Sequence, residues 1–190
     1  AAAVAAFIIA AADPALPAEQ VVINELHVNP DVKTERVEFV ELHNPGADEV
    51  DLSGWQFREG VFYTFPQCAT LPAGGYVIVA QDPNQIHTKW GVSRFGIQDG
   101  LVCGPFGGKL DNEEDHVVLC DAGGQEVDDV SYQLGFPWPT VGDVAGTGGS
   151  MQLTNPRFDN NLGGSWRSAT PTPAAMNKGV FATNIAPQIR

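Results

Sequence analysis

Between residues 21 and 177 the chain is written in short runs of alternating apolar and polar residues: VVINELHVNP, then RVEFVELHNPGADEVDLSGWQF, YTFPQCATLPAGGYVIVAQDP, FGGKLDNEEDHVVLCDAGGQEVDDVSY and GGSMQLTNPRFDN. Period-two alternation puts residues i and i+2 on one face of a strand, and here Gly, Pro, Asn and Asp punctuate it roughly every 8–12 residues. The pattern predicts an all-β, antiparallel sandwich. Strands are expected over residues 21–27, 36–43, 54–58, 62–65, 75–81 and 150–154. A hairpin of 116–121 with 126–132 is expected about Ala122-Gly123-Gly124. YVIVA, within 75–81, is apolar on both faces and reads as a central strand. Residues 82–90 read as a helical turn, with Asp82 as its cap and Pro83 at the first helical position. Segments 100–112 and 142–149 read as glycine-rich loops, and the chain from residue 165 as extended. The predicted core is Val22, Leu26, Phe39, Leu42, Leu52, Trp55, Tyr76, Ile78, Val118 and Val130.

Composition narrows the reading. The 190 residues suit one domain with appendages, and 43% hydrophobic residues suffice for a core. The 21 glycines and 14 prolines fit a turn-rich β protein. A net charge of −13, with ten Lys and Arg and no cluster among them, argues against nucleic acid, which attracts clustered cations. Cys68, Cys103 and Cys120 allow at most one intramolecular disulfide. Cys103 and Cys120 flank a turn region and are the first pair to consider, but all three as small core residues is the favoured reading.

The first twelve residues, AAAVAAFIIAAA, are apolar and uncharged, and too short to span a bilayer. They are similar to the apolar region of a secretory signal peptide, with Ala10 and Ala12 before Asp13. The expected organisation is a signal-peptide remnant and linker over 1–20, the sandwich over 21–180, and a linker over 181–190 into a further domain. The expected location is extracellular or in the cell envelope, with no membrane span in the mature chain.

The ordered segments INELH, VEFVELHNPGADEVDLSGWQF, YTFP, LPAGGYVIVA, FGGKLDNEEDHVVL, DAGGQEVDDVSY, PWP, GSMQL and SWRS…TP…N resemble the lamin-tail domain, and in particular members found in exported bacterial proteins. The resemblance covers about residues 21–177 and implies an immunoglobulin-like β-sandwich. It brings no catalytic residues, and it implies an accessory role beside other modules. Two positions depart from the family pattern. Ala174 stands where such domains usually carry Gly, and 142–149 is longer than the expected Asp-Gly turn. Lamin tails of the nucleus imply protein partners and DNA; the acidity of this chain argues against DNA.

Several residues invite a chemical reading. Glu25 and His27 share a strand face, as do Glu41 and His43. If the two strands pair in register, the four side chains offer a nitrogen and oxygen set of the kind Zn²⁺ accepts. The plainer reading has the glutamates bonded to turn backbone and the histidines half-exposed at opposite ends of the strand pair, and the missing ligand spacing favours it. The acidic run 111–115 fails the calcium-loop template, which needs Gly where His116 stands. There is no G-x-S-x-G and no H-E-x-x-H. Trp138, between two prolines, is the candidate surface aromatic for a partner, against the alternative that it plugs one end of the sandwich. The sequence thus points to a non-catalytic module with no cofactor and no metal. It would mediate protein interaction, adhesion or scaffolding with a protein or cell-surface component, as part of a longer multidomain chain. The alternative is an accessory domain of an enzyme, a hydrolase or a CotH-type kinase, whose catalytic part lies beyond Arg190.

Overall fold

A computed structural model describes residues 20–92, 101–139 and 148–178. The N-terminal apolar run, residue 100, most of the loop 142–149 and the segment after residue 178 lie outside these. The strands are β1 (Val22–His27), β2 (Phe39–His43), β3 (Val50–Asp51), β4 (Gln56–Glu59), β5 (Val61–Thr64), β6 (Thr70–Leu71) and β7 (Tyr76–Ala80). After helix α1 (Pro83–Trp90) come β8 (Leu101–Cys103), β9 (Gly107–Gly108), β10 (Glu114–Cys120), β11 (Glu126–Gln133), β12 (Ser150–Leu153), a short 3-10 turn (Gly163–Ser165) and β13 (Trp166–Ala169). One sheet runs β13-β12-β1-β2-β7-β8 and the other β11-β10-β4-β5-β9, with β3 and β6 forming a small ribbon. All pairings are antiparallel except β7 with β8. The architecture is the expected all-β sandwich. The loop expected over 100–112 supplies two short strands, and the extended tail supplies β13.

The main core fills the space between the sheets with Ile23, Leu26, Val40, Leu42, Phe57, Val77, Val79, Val117, Leu119, Val130, Tyr132 and Trp166 among others. Its parity differs from the expected one on β1 for a local reason. The register jumps from Ile23↔Leu42 to Glu25↔Glu41, so Asn24 is the extra residue of a β-bulge. A bulge shifts which residues face inward. Val21 and Ile23 are core before it, and Leu26 and Val28 after it, while Val22 is only half-buried. Trp55 and Tyr76 are also half-buried rather than central, and Val118 points away from Val117 and Leu119.

Phe39 and Ile78 are buried on the opposite face of the first sheet. With Val37, Ala80, Ile86 and Val102 they form a second cluster beneath α1. Asp82 caps this helix, its carboxylate accepting from the N–H groups of Asn84 and Gln85, and Pro83 starts it. Gly91 ends it in the left-handed conformation that glycine adopts without strain.

Sheet edges expose unpaired backbone and invite unwanted pairing unless covered. On β11 the Ser131 N–H donates to Asn161 Oδ1 at 2.8 Å. On β13 the Trp166 N–H reaches the Gly163 carbonyl, and its own carbonyl accepts from Arg167 Nη1 at 2.5 Å. Local contacts thus occupy backbone groups on the β11 and β13 edges.

Trp166 is buried, its indole N–H donating to the Asn160 carbonyl at 2.7 Å. Replacing it with Ala should cost about 3–5 kcal/mol, while Trp55→Ala should cost clearly less because Trp55 is part-exposed. Urea unfolding of both variants measures the difference, and equal losses would contradict this assignment of the core.

Candidate functional site

On the outer face of the first sheet, Glu25 and Glu41 stand directly opposite each other on β1 and β2, both fully buried. Residues paired this way hold their Cβ atoms about 4.5–5.5 Å apart. The segment 170–177 lies across them as a strap. Glu25 accepts hydrogen bonds from Ser150 Oγ (2.5 Å), Thr172 Oγ1 (2.8 Å) and the Thr172 N–H (3.0 Å), with Gln152 Nε2 at 3.3 Å. Glu41 accepts from Asn24 Nδ2 at 2.8 Å and from the Ala174 N–H at 2.7 Å. Asn177 Nδ2 donates to the carbonyls of Asn24 and Leu153, and the Lys178 N–H reaches Gln152 Oε1 at 2.9 Å. Among the described residues every buried side-chain nitrogen and oxygen has a partner.

Burial pushes both carboxyls above the usual carboxylate range. For Glu25 the donors from Ser150, Thr172 and Gln152 oppose that push. Glu41 is raised further, by burial first and then by the charge of Glu25. The donors named are all neutral.

The histidines end up apart, because His27 pairs with Phe39 and His43 with Val22, at opposite ends of the strand pair. His27 is buried, stacked on Phe39 at 5.3 Å and edge-on to Trp90 at 5.5 Å. Its Nδ1 lies 2.8 Å from the Val37 carbonyl and its Nε2 3.0 Å from that of Gly148. Burial lowers its pKa, disfavouring the second proton. His43 stacks on Tyr76 at 4.3 Å, with Nδ1 3.0 Å from the Gly75 carbonyl. The register therefore brings together the two glutamates and not the four-residue ligand set. No group of three or more His, Cys, Asp or Glu among the described residues is arranged to hold a metal ion.

The network draws on residues that sequence reasoning left aside: Asn24, Ser150, Gln152, Thr172 and Asn177. The polar alternation of Ser150, Gln152 and Thr154 carried a signal, since it marks a second face that needs polar partners.

Trp138, the candidate surface aromatic, is only 7% exposed and packs on Trp166 at 6.1 Å, in keeping with the alternative of a tryptophan that plugs the sandwich. A Cβ on Gly163 would come within 2.8 Å of Trp138 Cγ, so only glycine allows this close approach. The exposed aromatic of this run is Phe136, at 99%, and Leu162, next to Gly163, is 58% exposed. The cysteines are all free, with Cys120 buried, Cys103 half-buried and Cys68 at the surface. A disulfide between Cys103 and Cys120 is therefore not formed, and Cys68 is not a core residue.

A second polar cluster lies on the outer face of the second sheet. His116 on β10 reaches Glu59 Oε2 on β4 at 3.0 Å and Asp129 Oδ2 on β11 at 2.9 Å, tying three strands. Asp128 turns the other way and is largely buried. It accepts from the Ile23 N–H at 2.6 Å and from Asn160 Nδ2 at 2.8 Å, and burial pushes its carboxyl up to about 6.

The sequence model of the lamin tail domain matches residues 14–133, well over half of the chain and up to the end of β11. The chain belongs to the lamin tail domain family. A comparison with curated proteins finds no match. The immunoglobulin-like sandwich is the fold of this family. In this lamin tail domain β12, β13 and the strap lie beyond the matched stretch and complete the first sheet alongside β1.

Two outcomes follow from this geometry. Ala174 has φ 60°, in the left-handed region that costs a residue with a Cβ about 1–2 kcal/mol. Because glycine loses more entropy on folding, Ala174→Gly should stabilise by only about 0.5–1 kcal/mol, read as a rise in Tm. His116 should titrate above the ordinary histidine range, its proton held first by Asp129 and then by Glu59. Its contribution to stability is therefore complete below the unfolded-state pKa and is lost as pH rises through the folded one. NMR titration should show the shift shrinking in Asp129→Asn.

Proposed function

We propose that this lamin tail domain is a non-catalytic interaction module that positions or anchors a larger exported or cell-surface bacterial chain by gripping a protein partner. The observation that carries the reading is the display of Phe136, fully exposed in the turn after β11, two residues before Trp138, which packs on Trp166 in the core. A rigid sandwich with an apolar side chain held out on a fixed loop is the common arrangement of a binding surface. Leu162, beside the Gly163 that packs against Pro137 and Trp138, is a second exposed apolar side chain on the adjoining loop. The acid-rich composition, without clustered Lys or Arg, supports a protein rather than a nucleic-acid partner. The apolar run 1–12 supports export. Among the described residues no helix is long and apolar enough to cross a membrane. The same surface would serve an accessory domain docked beside a catalytic one.

The test compares the full chain with a Phe136→Ser, Leu162→Ser double variant, each immobilised and exposed to cell-envelope proteins. The variant should unfold within about 0.5 kcal/mol of the parent, since both side chains are at the surface, yet lose at least about tenfold in affinity for whatever the parent retains. Equal retention by both would overturn this surface as the binding site.

A further inference from the structure

Cations are scarce in this chain, ten Lys and Arg against 23 Asp and Glu, so where a guanidinium is held without a carboxylate carries information. Arg167, on β13, is such a case. Its side chain turns back along the strand edge, and Nη1 donates to the Gly164 carbonyl at 2.9 Å and to the Trp166 carbonyl at 2.5 Å. Those two bonds use one nitrogen of a planar fork with five N–H donors. Arg167 is exposed, and among the described residues no carboxylate lies within ion-pair distance of it. The nearby acids are engaged with other groups. Asp159 Oδ1 accepts from the Asn161 N–H at 2.9 Å, and Asp129 accepts from Asn161 Nδ2 and meets His116 Nε2, each at 2.9 Å.

The place of this guanidinium matters as much as its freedom. Gly164, whose carbonyl holds it, follows Gly163, and a Cβ on Gly163 would come within 2.8 Å of both Pro137 and Trp138. Phe136 precedes that contact in one loop and Leu162 precedes it in the other, and both are exposed. Arg167, Phe136 and Leu162 therefore hang on one braced junction of two loops. We propose that the partner of this junction is a protein segment that carries an Asp or Glu side chain next to an apolar one. The carboxylate pairs with the outer donors of Arg167, and the apolar side chain meets Phe136 and Leu162. This inference rests on the reading of Phe136 and Leu162 as a binding surface and adds the charge of what they bind. An Arg already fixed by carbonyls loses little freedom on pairing, and its fork matches a carboxylate with two parallel bonds. A basic segment would instead meet a like charge. The net charge of −13 repels an acidic segment at a distance. That repulsion is screened beyond about 8 Å at physiological ionic strength, so it slows encounter more than it weakens the docked contact.

The probes are libraries of short amidated peptides with a fixed Leu or Phe followed by Glu, Gln or Lys, the flanking positions being random. NMR of the full chain reads binding at the Arg167 Nε–H and at the Phe136 and Leu162 amides. The Glu library should shift all of these and bind at least about tenfold tighter than the Gln library. The Lys library should bind weakest. Arg167→Gln should erase the preference for Glu over Gln while the shifts at Phe136 and Leu162 persist. Equal binding of the Glu and Gln libraries by the parent, or a preference for Glu that survives in Arg167→Gln, would overturn the partner's charge and leave the surface standing. No shift at Phe136 or Leu162 with any library would overturn the surface itself, and this inference with it.

Discussion

The constraint on which this structure depends is that its larger sheet is buried on both faces. One face packs against the other sheet in the ordinary way of a sandwich. The other carries Glu25, His27, Glu41, His43, Ser150 and Gln152, and would be left to solvent if nothing covered it. Two segments divide the covering. Helix α1 lies over Phe39 and Ile78 and makes an apolar seal, while the strap 170–177 lies over the glutamates and makes a polar one. The two seals obey different rules. The apolar one tolerates any shape that excludes water, whereas the polar one must meet each donor and acceptor, because an unmet buried group costs about 1–3 kcal/mol. That demand explains why Thr172, Ala174 and Asn177 are fixed atom by atom.

The bulge at Asn24 serves both sides of the sheet. It resets the alternation so that Ile23 and Leu26, three residues apart, both enter the core. It also frees the Asn24 side chain to reach Glu41 and its carbonyl to receive Asn177. The start of β1 is tied to the opposite sheet by Asp128, which joins the Ile23 N–H to Asn160. A single strand thus links both sheets, the strap and the loop 155–162. The family match ends at residue 133, yet the part beyond it supplies two strands of the larger sheet and all of its polar cover. The domain is therefore closed by residues far along the chain from those they protect.

The surface proposed for binding follows from the same rigidity. Trp138 and Trp166 anchor the two loops at one end of the sandwich, and the absence of a Cβ on Gly163 lets those loops meet. Phe136 is consequently held outward on a braced support. A loop without that brace would lose entropy on binding, which lowers affinity for the same contact area.

Most of the framework was legible in the sequence because it rests on local rules. Period-two alternation marked the main strands, Ala122-Gly123-Gly124 marked the hairpin, and Asp82-Pro83 marked the start of the helix. These are decided within a few residues by backbone sterics and hydrogen bonding. The short strands β8, β9 and β13 were not legible, since each exists only because a neighbouring strand offers it an edge. The two ELH segments show the division most clearly. Their spacing established that each Glu and His share a face. Whether the histidines or the glutamates would meet depended on the register of β1 against β2, which the bulge at Asn24 sets. Whether that face would be wet, metal-bound or buried depended on a strap about 130–150 residues away in sequence. Trp138 and Phe136 are the same case at the surface. Both are large and apolar and sit two positions apart in a proline-bracketed run, and only the packing of Trp166 and the approach of Gly163 decide which is buried. The sequence determined which elements form and which faces are apolar. The tertiary structure decided which polar residues meet, because long-range contacts are fixed by register and closure rather than by local preference.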